Sequence, residues 1–269
     1  METRRSATYS HVMSVQPVGT YLRQWRQRRR LSQQGLAGEA DISARHLSFV
    51  ETGRAQPSRE MILHLAEQLE IPMRERNVLL VAAGYAPLFA ERPLSDPALA
   101  PARAAIDLIL EGHKPYPAFA IDRHWNIVAS NRALQQMYAG VDPPLLERPV
   151  NAMRLSLSLK GVAPRVENLA EWRAHMLSRL TQQVQLTADP GLIALLAEVK
   201  SYPAPLARVQ EPNPMAVPFK LRIEAGLLSF FTTTMVFGSP VDITLSELAV
   251  ELFFPADQAT IDLVRKLTV

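Results

Sequence analysis

Residues 31–58, LSQQGLAGEADISARHLSFVETGRAQPS, alternate helix-starting and helix-stopping residues at intervals that suit only short, closely connected helices. Ser32 is placed to cap a helix, because a serine oxygen accepts a hydrogen bond from a free N–H of the first turn. Leu36 and Ala37 form the buried pair of that helix. It ends near Ala40 and Asp41, where a short polar side chain tolerates the left-handed backbone conformation. Three residues on, Ser43 caps a helix over Ala44 to Thr52, with Leu47 and Val50 facing inward and Gly53 closing it. Ala44, Arg45, His46, Ser48 and Phe49 then face outward. The next helix starts after Pro57 and Ser58 and buries Ile62, Leu65, Ala66 and Leu69 at helical spacing. Upstream, Val18 to Arg30 reads as a helix with Leu22 and Trp25 inward. Downstream, a fifth helix begins around Pro72 and runs through Val81 to Gly84. The expected first domain is all-α with five helices.

This stretch resembles the core of the Cro/repressor-type (Xre-family) helix-turn-helix. The likeness rests on the Leu31-Ser32-Gln33 opening, the Glu51-x-Gly53-Arg54 ending and the Pro57-Ser58 start of the following helix. Two features depart from it: Asp41 stands where the family most often has glycine, and Gly35 and Gly38 weaken the second helix by about 1 kcal/mol each relative to alanine. The resemblance implies that the third helix enters the major groove while the second crosses the backbone. Arg45 is then the leading base reader, since a guanidinium pairs bidentately with guanine. Ala44 is placed for a thymine methyl, with Ser43, His46, Ser48, Phe49 and Arg54 beside it. His46 fits a base contact and an ordinary exposed helix position equally. Gln33 would hold a phosphate together with free backbone N–H groups. Arg26 and Glu51 are expected to pair between helices one and three. The expected partner is double-stranded DNA carrying an inverted-repeat operator, bound by a homodimer.

The chain of 269 residues is long enough for two domains. With 48% hydrophobic and 20% charged residues it has the composition of a globular protein, and no segment offers the apolar run of a membrane helix. The first sixteen residues lack the pattern of a secretory signal, so a cytoplasmic location is expected. The absence of cysteine removes disulfides, thiolate metal sites and cysteine nucleophiles. Positive charge is concentrated at the front: residues 1–92 carry a net +4 and residues 93–269 a net −1. Arg23, Arg26, Arg28, Arg29 and Arg30 form a run that suits either phosphate or a solvated helix face. The expected division is a flexible N-terminus over 1–16, the helix-turn-helix domain over 17–86, a proline-rich linker over 87–101 and a second domain over 102–269.

In the second domain, Ala102 to Gly112 reads as a helix with Ile106, Ile109 and Leu110 inward, and His113 at its end faces the helix dipole. Ala118 to Ile121 and Trp125 to Ala129 form a hairpin around Asp122-Arg123-His124. Helices follow over 131–138, 169–184 and 190–199, while the 150s fit no single period. Val217 to Glu224, Leu227 to Phe237 and Leu248 to Phe254 read as strands, and Pro255 opens a closing helix. The result is an α+β domain with about five strands. The segments PYPAFAIDRHWNIVASNRAL (115–134), NAMRLSL (151–157) and SPVDITLSELAVELFFPAD (239–257) are similar to the ligand-binding domain of MmyB-like regulators. The likeness covers most of residues 100–260 and implies a PAS-like fold with an antiparallel sheet, a cavity, and transcription regulation.

The candidate lining of that cavity is Met137, Met153, Trp172, Met176, Phe230, Phe231, Met235 and Phe237, since thioethers and flat rings adapt to apolar ligands. Such residues serve an ordinary core equally well. An elongated apolar molecule such as a fatty acid is the expected ligand, with Arg132, Arg154 or His175 at its polar end. No catalytic residue, metal site or cofactor is assigned: the six histidines show no metal spacing, and no nucleophile elbow or dinucleotide fingerprint occurs. Asp122, His124 and His175 suggest a relay only as any globular domain does by chance. Two other readings of the second domain stay open: a module that only dimerises or binds a protein partner, and an acyl-processing enzyme.

Overall fold

The computed structural model describes residues 16–203 and 217–268. The chain divides into two compact units between Phe89 and Ala90. The flexible stretch expected over residues 1–16 lies, but for Gln16, outside the described residues.

The first unit is a cluster of five helices: α1 (Val18–Arg28), α2 (Gln33–Glu39), α3 (Ala44–Glu51), α4 (Arg59–Gln68) and α5 (Met73–Ala82). Three serines start three of them. Ser32 accepts from the Gly35 N–H at 2.9 Å, Ser43 from His46 at 3.1 Å and Ser58 from Met61 at 3.2 Å. Asp41 makes the turn between α2 and α3 at a φ of 49°, so the aspartate takes the conformation that glycine would adopt without strain. Leu22, Leu36, Leu47, Ile62, Leu65 and Leu80 are fully buried in one core. The helix expected through Arg30 ends at Arg28, and Arg30 turns the chain at a φ of 59°. Arg29 therefore swings away from any outward phosphate face. It donates to the Leu69 and Glu70 carbonyls at the end of α4, at 2.8 and 2.9 Å.

The second unit begins earlier than its expected linker ends. Ala90 pairs with Asp242 as an isolated bridge, Arg92 forms an ion pair with Asp242 at 2.9 Å, and Leu99 is buried. Four prolines do not free a segment held by Asp242 and by Arg103, which donates to the Leu94 and Asp96 carbonyls. α6 (Ala100–Gly112) follows, then a five-stranded sheet: β1 (Ala118–Ile121), β2 (Ile127–Ser130), β3 (Phe219–Ile223), β4 (Gly226–Val236) and β5 (Ala249–Pro255). Its order is β2-β1-β5-β4-β3 with every pairing antiparallel, a PAS-like α+β architecture. Trp125 sits in the β1–β2 turn at a φ of 67° rather than on a strand, so β2 starts at Ile127. β5 runs through Pro255, and the closing helix starts three residues later than expected.

The remaining helices are α7 (Arg132–Gln135), α8 (Ala152–Leu157), α9 (Leu169–Thr187), α10 (Pro190–Ser201), α11 (Ile243–Ser246) and α12 (Gln258–Thr268). Both faces of the sheet are covered. Phe119, Ile121, Phe219, Leu221, Phe230 and Phe253 meet the α8, α9 and α10 side chains in the larger core. Ala118, Ala120, Val250 and Leu252 meet Ile106 and Leu110 of α6 in a smaller one. Asn131 links the two regions: its amide donates to the Leu110 and Tyr116 carbonyls, and its carbonyl accepts from the Ala118 and Leu134 N–H groups.

Candidate functional site

Two regions carry chemistry, one in each unit. In the first, Glu51 on α3 is a hub. Arg26 of α1 donates to both its oxygens at 2.6 and 2.9 Å, and Gln33 of α2 donates to one of them at 2.7 Å. The Glu51 side chain is 1% exposed. Its hydrogen bond raises the Arg26 guanidinium above its ordinary value against the opposing effect of burial. Arg26 is therefore a strut. Gln33, expected on a phosphate, spends its amide N–H on the same carboxylate because the start of α2 is drawn against α3.

The outward side of α3 carries Arg45, which is exposed, with Ala44, His46, Ser48 and Phe49 partly so. Two guanidiniums lie over the Phe49 ring, Arg45 at 5.4 Å and Arg54 at 4.8 Å. This stacking orders two long cationic side chains on one surface. Ser43 has its oxygen engaged as the α3 cap. Of the arginine run, Arg26 and Arg29 are tied inward, Arg28 stacks on Trp25 at 4.7 Å, and Arg23 and Arg30 remain exposed.

In the second unit, a narrow cavity of about 60 Å³ lies between the sheet and the helices α7, α8 and α9. Met137, Trp172 and Met176 line it, as do Phe119, Trp125 and Phe253. A second cavity of about 40 Å³, bordered by Leu228, Phe230 and Val264, shares Met137 as a wall. Two of the expected lining residues fall elsewhere in the core: Met153 is wholly buried without lining either cavity, and Phe230 borders only the second.

Three more are on the wrong side of the sheet. Thr232 of β4 lines the main cavity, so Phe231 and Met235, an odd number of residues away, point to the far face, 39% and 43% exposed. Phe237 packs with Ile106 and Leu110 under α6. The expected polar-end residues are also displaced. Arg132 is exposed, and Arg154 is bound bidentately by Glu198 at 2.8 Å. His175 stacks on Trp172 at 5.6 Å, and burial and Arg179 lower its pKa.

The charged groups at the cavity are Arg179 and Glu251. Arg179 donates to both Glu251 oxygens, at 2.6 and 3.3 Å, and to the Thr234 hydroxyl at 2.9 Å, and Thr234 donates to Glu251 at 3.0 Å. The guanidinium lies 4.9 Å from the Trp125 ring centre. Both residues had a legible signal. Trp172, Met176 and Arg179 share one face of α9 at i, i+4 and i+7. Glu251 alternates with Ala249 and Phe253 in AVELFFP; the signal was masked because Leu248, Val250 and Leu252 alternate equally well toward the other buried face.

The relay residues are spent on structure. Asp122 accepts from the His124 and Asn126 N–H groups in the β1–β2 turn, and His124 bonds Asp189 at the start of α10. Among the described residues no group of three or more metal-ligating side chains comes together. No helix there is long and apolar enough to cross a membrane.

Residues 102–267 match the model of a family described as the MmyB-like transcription regulator ligand binding domain, and residues 17–79 match a helix-turn-helix domain. Comparison with curated proteins gives no match.

Proposed function

The chain belongs to the family of MmyB-like transcription regulators, with a helix-turn-helix ahead of the ligand-binding domain, and on that premise we propose that it reads an inverted-repeat operator as a homodimer and senses an elongated apolar molecule, a fatty acid or a similar acyl compound. It acts in the cytoplasm, where the operator is. Arg45, exposed at the start of α3, reads a base, and Arg54 with Arg23 and Arg30 supplies phosphate contacts.

The observation that carries the ligand reading is the pair of apolar cavities divided by one methionine. Their volumes of about 60 and 40 Å³ are small beside the roughly 300–1,000 Å³ of ordinary small-molecule sites. A ligand must therefore displace side chains. Met137, unbranched and adaptable, is the side chain whose rotation joins the two spaces into one elongated channel. A module that only dimerises has no use for such a channel.

Mass spectrometry of solvent extracts from purified protein should find an acyl compound in about stoichiometric amount. Removing it should lower the melting temperature, because a ligand bound only by the folded state stabilises it. Met137→Trp should keep the fold and exclude the compound. Extracts empty of lipid, together with no stabilisation by any added long-chain compound, would leave the dimerisation reading in its place.

A further inference from the structure

Resting on that cavity reading, we infer that the ligand enters with an uncharged polar end, an alcohol, ester or amide rather than an ionised carboxylate, because Arg179, the one cation among the described residues that line the main cavity, is already neutralised. Arg179 and Glu251 face each other with both carboxylate oxygens used, and their side chains are only 25% and 4% exposed. The pair carries no net charge. A second carboxylate beside it would lose its hydration and meet Glu251 at close range, and like charges sharing a dry site disfavour ionisation.

The other cations near the cavity are occupied or, like Arg132 of α7, turned out to solvent. Arg154 is held by Glu198, and Arg173 by the Val199 and Lys200 carbonyls. Arg165 donates to the Met137 carbonyl and lines an open groove with Glu167 and Arg222, not the cavity. His175, its pKa lowered by burial and by Arg179, is not held as a cation.

The cavity wall offers neutral hydroxyls instead. Tyr138, Ser156 and Thr232 all line it. Ser156 accepts from the Trp172 indole at 2.7 Å and keeps its own O–H proton to donate. Among the described residues no fully buried side-chain polar atom lacks a partner. No hydrogen bond joins the Tyr138 or Thr232 hydroxyl to another described residue, and neither hydroxyl is fully buried. Burial pushes the Tyr138 phenol up to about 12, so it stays a donor at any working pH. These are the neutral polar residues of the lining that a carbonyl or alcohol oxygen could meet.

Delipidated full-length protein is titrated at pH 8 with dodecanol, methyl dodecanoate and dodecanoate, following tryptophan fluorescence, since Trp125 and Trp172 line the cavity. The alcohol and ester should bind about tenfold or more tighter than the acid anion. Glu251→Gln, which frees the Arg179 charge while keeping an acceptor in place, should strengthen dodecanoate binding and close or reverse that order. Tyr138→Phe and Thr232→Val leave the ion pair intact and should weaken the alcohol without helping the acid. Dodecanoate binding as tightly as the alcohol to the unaltered protein overturns this inference and leaves the cavity reading standing. Failure of all three to bind overturns both.

Discussion

Glu51 shows how one side chain can join three helices, since its partners lie on α1 and α2 and it belongs to α3. Glu51→Gln leaves the Arg26 guanidinium buried without a countercharge and should cost the first unit about 3–5 kcal/mol. Amide exchange of α1 and α3 in the full chain reads this, and a double-mutant cycle with Arg26→Met showing no coupling would reject the pairing. Arg45 has the opposite character: exposed, it holds nothing together. Arg45→Ala should leave stability unchanged, cost about 1–3 kcal/mol of operator binding and relax base preference at one position per half-site. A loss equal for all DNA sequences would make it a phosphate contact. His175 carries a pH signature. Its folded pKa is lowered, so the unfolded chain takes up a proton that the folded chain resists. Stability should fall as pH drops through the ordinary histidine value of 6.5 until the lowered value is reached. His175→Gln should flatten that slope in urea titrations across the same window.

At the scale of elements, the position of α3 depends on a residue on another helix. A Cβ on Gly19 of α1 would lie 2.2 Å from the Val50 carbonyl oxygen and 2.8 Å from that of Glu51. Backbone atoms cannot yield as a side-chain tip does. Gly19→Ala should push α1 off α3 and cost about 1–3 kcal/mol, lowering affinity for operator and random DNA together. Unchanged amide protection in α1 would show that the helices can separate without cost. In the second unit, β5 carries the cavity on one face and the α6 core on the other, while the far face of β4 is partly exposed. A period of two was legible in both strands, but it selects a face only when one side is wet. In β5 both sides are buried, so VELFF alternates toward two cores; in β4 the far face is partly wet, yet it carries Phe231 and Met235 while Thr232 faces the cavity, so apolar character alone points to the wrong face.

For the whole molecule, operator binding and ligand binding belong to one chain, and linkage makes any coupling between them reciprocal. If a bound ligand changes operator affinity by some factor, operator DNA should change ligand affinity by the same factor, as paired calorimetric titrations would read. Unequal factors would mean that a third state or an assembly step intervenes. On the proposed homodimer reading, two recognition helices enter successive major grooves about 34–36 Å apart, so sedimentation should find two chains per operator. One chain per operator would end the homodimer reading.

The sequence determined by itself what local chemistry dictates. Ser32, Ser43 and Ser58 mark three helix starts, the Leu and Ile spacing of α4 marks its buried face, and AFAI and the β3–β4 turn mark strands, because caps, periods and turns act over a few residues. It also carried the family likeness of both halves. Tertiary structure alone decided that the proline-rich stretch from Ala90 packs onto the second unit, since its partner Asp242 lies about 150 residues away. It decided that Gln33 and Arg29 face inward, and which face of β4 meets the cavity. It also brought Arg179 and Glu251 together, 72 residues apart in the chain. Whether a charge is free or neutralised depends on what stands beside it in space, and no residue spacing along the chain records that.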